Sequence, residues 1–277
     1  MKYDERITPI KKDLAHSIYK TIIKKKKYVE GSKHTVIKPF TPLYNKLNSK
    51  LSTQLLFGEE CIVLEKKNKW SWIQSLRDQY VGYTPTENLS SVSFRATHKV
   101  FTLRTFVYKK PDIKSEPLGY VSFNSLLQIT AKTNRFAKIK NFGWIPTSSI
   151  TVLNNYKFNI VALANQYLDT PYLWGGRDSM GIDCSGLVQN LFQIKNIRFP
   201  RDTDMQEIYV TRNILKKDLR AGDLVFWKGH VAMMVDNKNI IHANAFHMKT
   251  AIEPLSVAQK RIFKTNGPVK KFGRVTS

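Results

Sequence analysis

Asp183-Cys184-Ser185-Gly186-Leu187-Val188 is the stretch from which the fold of this chain is read. From Cys184 onward, Leu187, Val188, Leu191, Phe192 and Ile194 recur at three- and four-residue intervals, the spacing of an amphipathic helix. Gly181 and Asp183 stand where a turn and an N-cap belong. Cys184 therefore falls in the first turn, where unpaired backbone N–H groups and the helix dipole favour negative charge. A thiol there can drop from a pKa of ~8.5 to ~3.5–7.5 once an imidazolium is close. The N–H groups around Cys184 and Ser185 are also suited to hold part of an oxyanion. A small residue packed where a helix meets a sheet would read the same way, so the helix alone decides nothing.

Two histidines carry the argument further. Gly229-His230-Val231-Ala232-Met233-Met234-Val235 reads as a buried strand, and Asp236 to Asn239 as a polar turn. Ile240-Ile241-His242-Ala243 returns as the second arm of a hairpin. A base that activates a thiol needs hydrogen-bond reach to it and a third group to orient it. A strict two-residue turn at Asn237-Lys238 pairs residue 230 with 245 and sends His242 to the opposite face. A shared face requires a shifted or bulged pairing, and the sequence leaves the choice open. One histidine alone would be an ordinary interior residue; the cysteine and both histidines together are harder to obtain by chance.

These residues sit in a wider set of motifs. Thr170-Pro-Tyr-Leu-Trp-Gly-Gly176, Asp183-Cys-Ser-Gly186, Phe199-Pro-Arg-Asp202, Gln206, Ala221-Gly-Asp-Leu-Val-Phe226, Gly-His-Val231 and Ile-His-Ala243 follow one another in order. Over roughly residues 155–277 the chain resembles an NlpC/P60 peptidase domain. The resemblance implies a papain-like core with Cys184 as nucleophile, His230 as base and His242 as the residue orienting it.

Upstream lies an internal repeat. Tyr80-Val-Gly-Tyr-Thr-Pro-Thr-Glu-Asn-Leu89 echoes Asn141-Phe-Gly-Trp-Ile-Pro-Thr-Ser-Ser-Ile150, and Pro42-Leu-Tyr44 echoes Phe106-Val-Tyr108. Two copies are too few for a solenoid and suit two small tandem domains. Short alternating strands such as Cys61 to Leu64, Trp70 to Ile73 and Ala137 to Ile139 suggest two small barrels. The repeats resemble bacterial SH3 domains. With Thr53 to Glu59, Asp78 to Tyr83 and Phe-Pro-Arg-Asp202, the whole is similar to γ-D-glutamyl-L-diamino-acid endopeptidases of the dipeptidyl-peptidase VI type. In that branch the first SH3 domain closes one end of the groove and restricts cleavage to muropeptides with a free N-terminal L-alanine. The resemblance implies that Tyr80, Asp183, Ser185 and Asp202 line the pocket for that end. A carboxylate suits a buried ammonium, which requires a hydrogen-bonded counter-charge. The local alternatives are that Asp183 only caps a helix, Ser185 only bonds backbone, and Asp202 only starts the helix after Pro200.

The expected fold class is α+β, a papain-like NlpC/P60 domain preceded by two small all-β SH3-like barrels. The expected division is a basic helical segment at 1–33, SH3 domains at 34–92 and 93–153, and the peptidase domain at 154–277. The helical segment rests on Ile18, Tyr19, Ile22 and Ile23, and Gly31 to Lys33 reads as a linker. A helix is expected from Phe158 to Leu168.

Composition sets outer bounds. The 277 residues are 42% hydrophobic, enough for folded cores throughout. Two cysteines leave no disulfide framework and fit a reducing compartment. Residues 1–30 hold no apolar stretch of signal-peptide length and no run approaches a membrane span, so a cytoplasmic location is expected. The net charge of +24 is concentrated upstream: residues 1–154 hold 27 Lys/Arg and 11 Asp/Glu, residues 155–277 hold 18 and 10. No nucleic-acid motif accompanies it, so a solvated basic surface without a specific nucleic-acid partner is expected. No cofactor is implied, and no metal, because no third or fourth ligand at metal spacing appears beside the histidines.

The expected activity is thiol-dependent hydrolysis after γ-D-glutamate in murein stem peptides, in cell-wall peptide recycling. The alternatives are a thiol amidase or acyltransferase on another substrate, and a basic SH3-type binding protein with an idle peptidase fold.

Overall fold

The structure, a computed structural model, describes residues 3–47 and 49–276. The chain divides at Leu153/Asn154 into two compact units.

The first unit is all β. In its first barrel, strands Ser32–Val36, Phe40–Tyr44, Leu51–Leu56, Glu60–Lys67, Trp70–Ser75, Val81–Pro85 and Leu89–Ser90 join in one antiparallel sheet. Alternation explains the core: Val36, Leu43, Leu55, Cys61, Val63 and Ile73 point inward with Tyr80. The second barrel is built from a five-stranded and a three-stranded sheet over residues 98–152. Phe57, at the end of a first-barrel strand, packs into the second barrel's core and stacks on Phe142 with ring centroids 5.1 Å apart.

The sequence repeat has a steric origin. Tyr44 pairs with Tyr83 in the first barrel, as Tyr108 pairs with Trp144 in the second. The glycine before each central aromatic lets the strands approach. A Cβ at Gly82 would lie 2.5 Å from the Tyr44 carbonyl oxygen, and one at Gly143 would lie 2.6 Å from that of Tyr108.

The N-terminal segment is not helical. Leu14–His16 pairs in parallel with Lys27–Val29, and only Ser17–Tyr19 forms a single 3-10 turn. Helical spacing misled because Ile18 and Ile22 are exposed and have no core to face. Leu14 and Val29 instead pack with Leu64, Trp72 and Val81 on the outer side of the first barrel. The Val81 amide donates to the Arg6 carbonyl at 2.7 Å, tying the segment down. Gly31 to Lys33 is no linker either, since Ser32 and Lys33 pair with Val63 and Ile62. Residues 1 and 2 of the expected segment lie outside the described residues.

The second unit mixes helices and sheet. Its helices are α1 (Ile160–Asn165), α2 (Cys184–Gln193), α3 (Thr203–Tyr209) and α4 (Leu255–Asn266). The expected helix from 158 to 168 starts at Ile160, where Asn159 caps it by accepting from the Val161 and Ala162 amides, and ends at Asn165. Six strands form its sheet: β1 (Arg212–Asn213), β2 (Leu224–Trp227), β3 (His230–Met234), β4 (Asn239–Asn244), β5 (Lys249–Pro254) and β6 (Lys271–Arg274), in the order β1-β6-β2-β3-β4-β5. Val225, Trp227, Ala232, Met234 and Ile240 pack with Leu255, Ala258 and Ile262 of α4. No described helix is long and apolar enough to cross a membrane. The α+β class expected from the sequence is the class observed.

Gly82→Ala and Gly143→Ala each drive a methyl into a backbone carbonyl. Each is expected to cost about 1–3 kcal/mol, measured as a lowered unfolding midpoint of the full chain. An unchanged midpoint for both would show that close strand approach is not what these glycines serve.

Candidate active site

The hairpin register settles the position of the histidines. Met233 pairs with Ile241 and Met234 with Ile240, so Ala232 stands opposite His242 and the two histidines share a face. A three-residue loop, 236–238, produces this shift from the two-residue turn. Asp236 holds it, its Oδ1 accepting from the Lys238 amide at 2.6 Å and the Asn239 amide at 2.7 Å. The Val235 amide then closes the loop on the Asn239 carbonyl at 2.9 Å. An aspartate opening the loop is the local signal that the strict-turn reading passed over.

His230 Nε2 lies 2.8 Å from His242 Nδ1. His242 is fully buried, and its Nε2 lies 2.8 Å from Glu253 Oε1. Glu253 is reached diagonally, since β5 pairs Ala251 with His242 and Glu253 with Ile240. Arg261 of α4 binds the same Glu253 oxygen and rests over the Phe246 ring at 4.2 Å. Neither Glu253 nor Arg261 stands out in the sequence, because both come from elements with no motif around the histidines.

Cys184 is the first residue of α2 and is buried. Its sulfur accepts a hydrogen bond from the Val231 amide, which brings the thiol to the start of β3, next to His230 in the chain. Thr203 Oγ1 lies 3.9 Å from the sulfur. Tyr172 forms a parallel bridge with Ile182, two residues before Cys184. Burial, then the charges of Cys184 and Asp183, push the Tyr172 phenol upward, so it stays a neutral donor near the thiol. Sequence reading quoted this tyrosine within a motif and gave it no role.

The thiolate expected from the helix start is not favoured in this resting arrangement. Burial, followed by the Asp183 carboxylate, pushes the Cys184 thiol up to about 11, outweighing the Val231, Thr203 and Arg201 contributions. Burial, with His242 and Arg261 adding to it, lowers His230 to about 3. Both shifts run toward the neutral forms, because low-dielectric surroundings penalise thiolate and imidazolium alike. His242 is also lowered, chiefly by burial, against the opposing pull of Glu253.

Of the four residues expected around the substrate's amino end, two are already engaged with each other. Asp183 caps α2, its Oδ1 accepting from the Gly186 amide at 2.7 Å, and its Oδ2 accepts from the Gly175 amide at 2.8 Å. Arg201 binds both oxygens, at 3.0 and 2.7 Å. Ser185 Oγ donates to Asp183 at 3.2 Å and accepts from Arg201 at 2.8 Å. Arg201 is 1% exposed, and its role went unread although Phe199-Pro-Arg-Asp202 was recognised as a motif. Asp202 precedes α3 as its N-cap residue, and its side chain makes no cap hydrogen bond. Tyr80 belongs to the first unit, where it is 5% exposed and lines a cavity of about 710 Å³ with Tyr3, Arg6, Lys11, Trp72 and Tyr83.

His242, His247 and Glu253 bring potential ligand atoms within 4.8 Å of one another, a third neighbour that sequence spacing did not anticipate. Hydrogen bonds account for the grouping. His242 and Arg261 both engage Glu253 Oε1, and His247 Nδ1 lies 3.0 Å from Asn244 Oδ1.

Two predictions follow from these buried charges. Arg201→Met leaves the Asp183 carboxylate buried without its partner and is expected to cost about 3–5 kcal/mol, read from the unfolding midpoint. A shift below 1 kcal/mol would mean that the pair is not a structural anchor. For the thiol, alkylation of Cys184 by iodoacetamide should keep accelerating as pH rises through 9, since the nucleophilic thiolate grows toward a pKa of about 11. A rate plateau starting near pH 5 would instead reveal a preformed thiolate–imidazolium pair.

Comparison with known proteins agrees with this arrangement. The NlpC/P60 family model matches residues 169–265, and a bacterial dipeptidyl-peptidase SH3 domain model matches residues 43–89. The chain is 28% identical over 243 residues to the gamma-D-glutamyl-L-lysine dipeptidyl-peptidase of Bacillus cereus, covering 75% of this chain and 72% of that protein. It is 32% identical over 130 residues to a probable endopeptidase NlpC homolog of Haemophilus influenzae, covering 45% of this chain and 70% of the relative. A crystal structure of an NlpC/P60 family protein from Bacillus cereus superposes with a TM-score of 0.75 at 20% identity, over 88% of this chain and 99% of that one. With the cysteine at the head of its helix and the histidine pair on its hairpin, this chain belongs to the NlpC/P60 family of cysteine peptidases.

Proposed function

We propose that this peptidase hydrolyses the bond after γ-D-glutamate in murein stem peptides, taking peptides with a free N-terminal L-alanine. The observation that carries the chemistry is the Cys184 sulfur held by the Val231 amide, next in the chain to His230, whose Nε2 lies 2.8 Å from His242. The substrate class is supported by the named activity of the Bacillus cereus relative and by the match to a dipeptidyl-peptidase SH3 model.

In the proposed reaction, the Cys184 sulfur attacks the γ-carbonyl of D-glutamate as His230 takes the thiol proton. The N–H groups at the head of α2 and the Tyr172 hydroxyl are suited to the developing oxyanion. The C–N bond breaks, and His230 returns its proton to the leaving amine of the diamino acid. Water, deprotonated by His230, then cleaves the thioester and restores the thiol. His242 orients the His230 ring.

Asp202 is assigned the substrate's ammonium. This assignment rests on the likeness to dipeptidyl-peptidases, while Asp183 has its oxygens engaged by Arg201 and three further donors. Asp183 and Ser185 then shape the pocket within the peptidase domain. Recycling of wall peptides in the cytoplasm belongs to the same proposal.

L-Ala-γ-D-Glu-diamino-acid peptide, with a free or an acetylated amino end, tests it directly. The wild-type chain should release L-Ala-D-Glu from the free peptide only, and Cys184→Ala should release none. Asp202→Asn should raise KM by roughly tenfold or more, the value of a hydrogen bond to a charged group. Failure to cleave the free peptide would sink the substrate assignment, and equal cleavage of both would remove the amino-end requirement.

A further inference from the structure

Glu253 accepts from His242 in the interior of the site while Arg261 holds the same oxygen from α4. We propose that Glu253, braced by Arg261, is a positioning residue that fixes the tautomers of both histidines and so places the basic lone pair on the thiol side of His230. The inference rests on the peptidase reading above, but its geometry is independent of the substrate.

One chain of hydrogen bonds, Glu253–His242–His230, dictates where each proton sits. A carboxylate is an acceptor only. With Glu253 ionised, His242 Nε2 must carry the hydrogen that fills the 2.8 Å contact with Oε1. A neutral imidazole with a hydrogen on Nε2 offers a lone pair on Nδ1. That lone pair faces His230 Nε2 at 2.8 Å, so His230 must carry its hydrogen there. The remaining ring nitrogen, His230 Nδ1, is then an acceptor, and it is the nitrogen left for the thiol.

Remove the carboxylate and a second arrangement becomes available. His242 can carry its hydrogen on Nδ1 and donate to His230 Nε2, which moves the His230 hydrogen to Nδ1. Nδ1 then carries an N–H, and a neutral His230 cannot accept the thiol proton there. The negative charge on Glu253 also stabilises the imidazolium formed on His230 during attack, through the intervening His242 ring.

The surroundings of Glu253 support its ionised state. Burial acts to raise it, but the His242 hydrogen bond and the charges of His242, Arg261 and His247 prevail and lower it. These come from three sides: His242 from β4, His247 from the loop after β4, and Arg261 from α4. Arg261 therefore keeps Glu253 from drawing the proton off His242, while the Phe246 ring holds the guanidinium in place.

The test is imidazole ¹⁵N NMR on the full chain near pH 7, with Glu253→Gln, Glu253→Leu and Glu253→Asp variants. In the wild type, His230 and His242 should both show the hydrogen on Nε2. In Glu253→Gln, whose amide can accept or donate, His230 should show a mixture of tautomers with little change in fold. In Glu253→Leu the kcat on the free murein peptide should fall roughly 10- to 100-fold with KM nearly unchanged, and Glu253→Asp should recover part of it. The acid limb of the kcat–pH profile should also shift in Glu253→Gln, as a change of packing alone would not do. A wild-type His230 protonated on Nδ1, or tautomers indifferent to both Gln and Leu, would overturn the proposal. Because the NMR readout needs no substrate, it separates this failure from failure of the murein assignment.

Discussion

The ion pair between Asp183 and Arg201 is the constraint on which the site depends. Asp183 ends the approach to α2, satisfies its Gly186 amide and takes Arg201 on both oxygens in a nearly water-free interior. An unpaired carboxylate at this depth would be costly, and a helix without its cap would fray at Cys184 itself. Arg201 also reaches Ser185, and Gln206 of α3 donates to the Ser185 carbonyl at 2.9 Å. The sulfur is thus positioned by its two flanking residues, and these are tied to Arg201 and Gln206. The same carboxylate raises the pKa of the thiol beside it, so structural order here comes with a less acidic nucleophile.

On the other wall of the site the logic is reversed. Charge sits at Glu253 and Arg261, one end of a hydrogen-bond chain that runs through His242 to His230. Burial makes both rings poor cations at rest. Such an arrangement stores direction rather than charge. The hydrogen bonds define where a proton can go, and an ion pair is made only as the sulfur attacks. A dry site also strengthens the interaction between Glu253 and a transient imidazolium.

Reading the sequence recovered the helix at Cys184 because an amphipathic period survives burial. It recovered the paired barrels because the Gly-aromatic repeat records a local steric need at Gly82 and Gly143. It failed at residues 16–23, where helical spacing of isoleucines had no core to face, and a strand pair covering Trp72 and Val81 won instead. For the thiol, a helix start argues for thiolate, whereas the folded state adds burial and the neighbouring Asp183 carboxylate, which act the other way. The engagement of Asp183 and Ser185 by Arg201 was invisible because their spacing does not encode the arginine's direction.

By itself, then, the sequence determined the thiol at a helix start, the two histidine strands and the two repeats, because each is written in contacts between near neighbours. Tertiary structure decided whether those parts could act together. The Asp236 loop set a hairpin register that puts both histidines on one face, and a one-residue difference would have separated them. Glu253 and Arg261 come from a following strand and helix, and Arg201 from a segment beyond α2. Periodicity is local, whereas protonation and tautomer depend on burial and on partners brought together from distant parts of the chain.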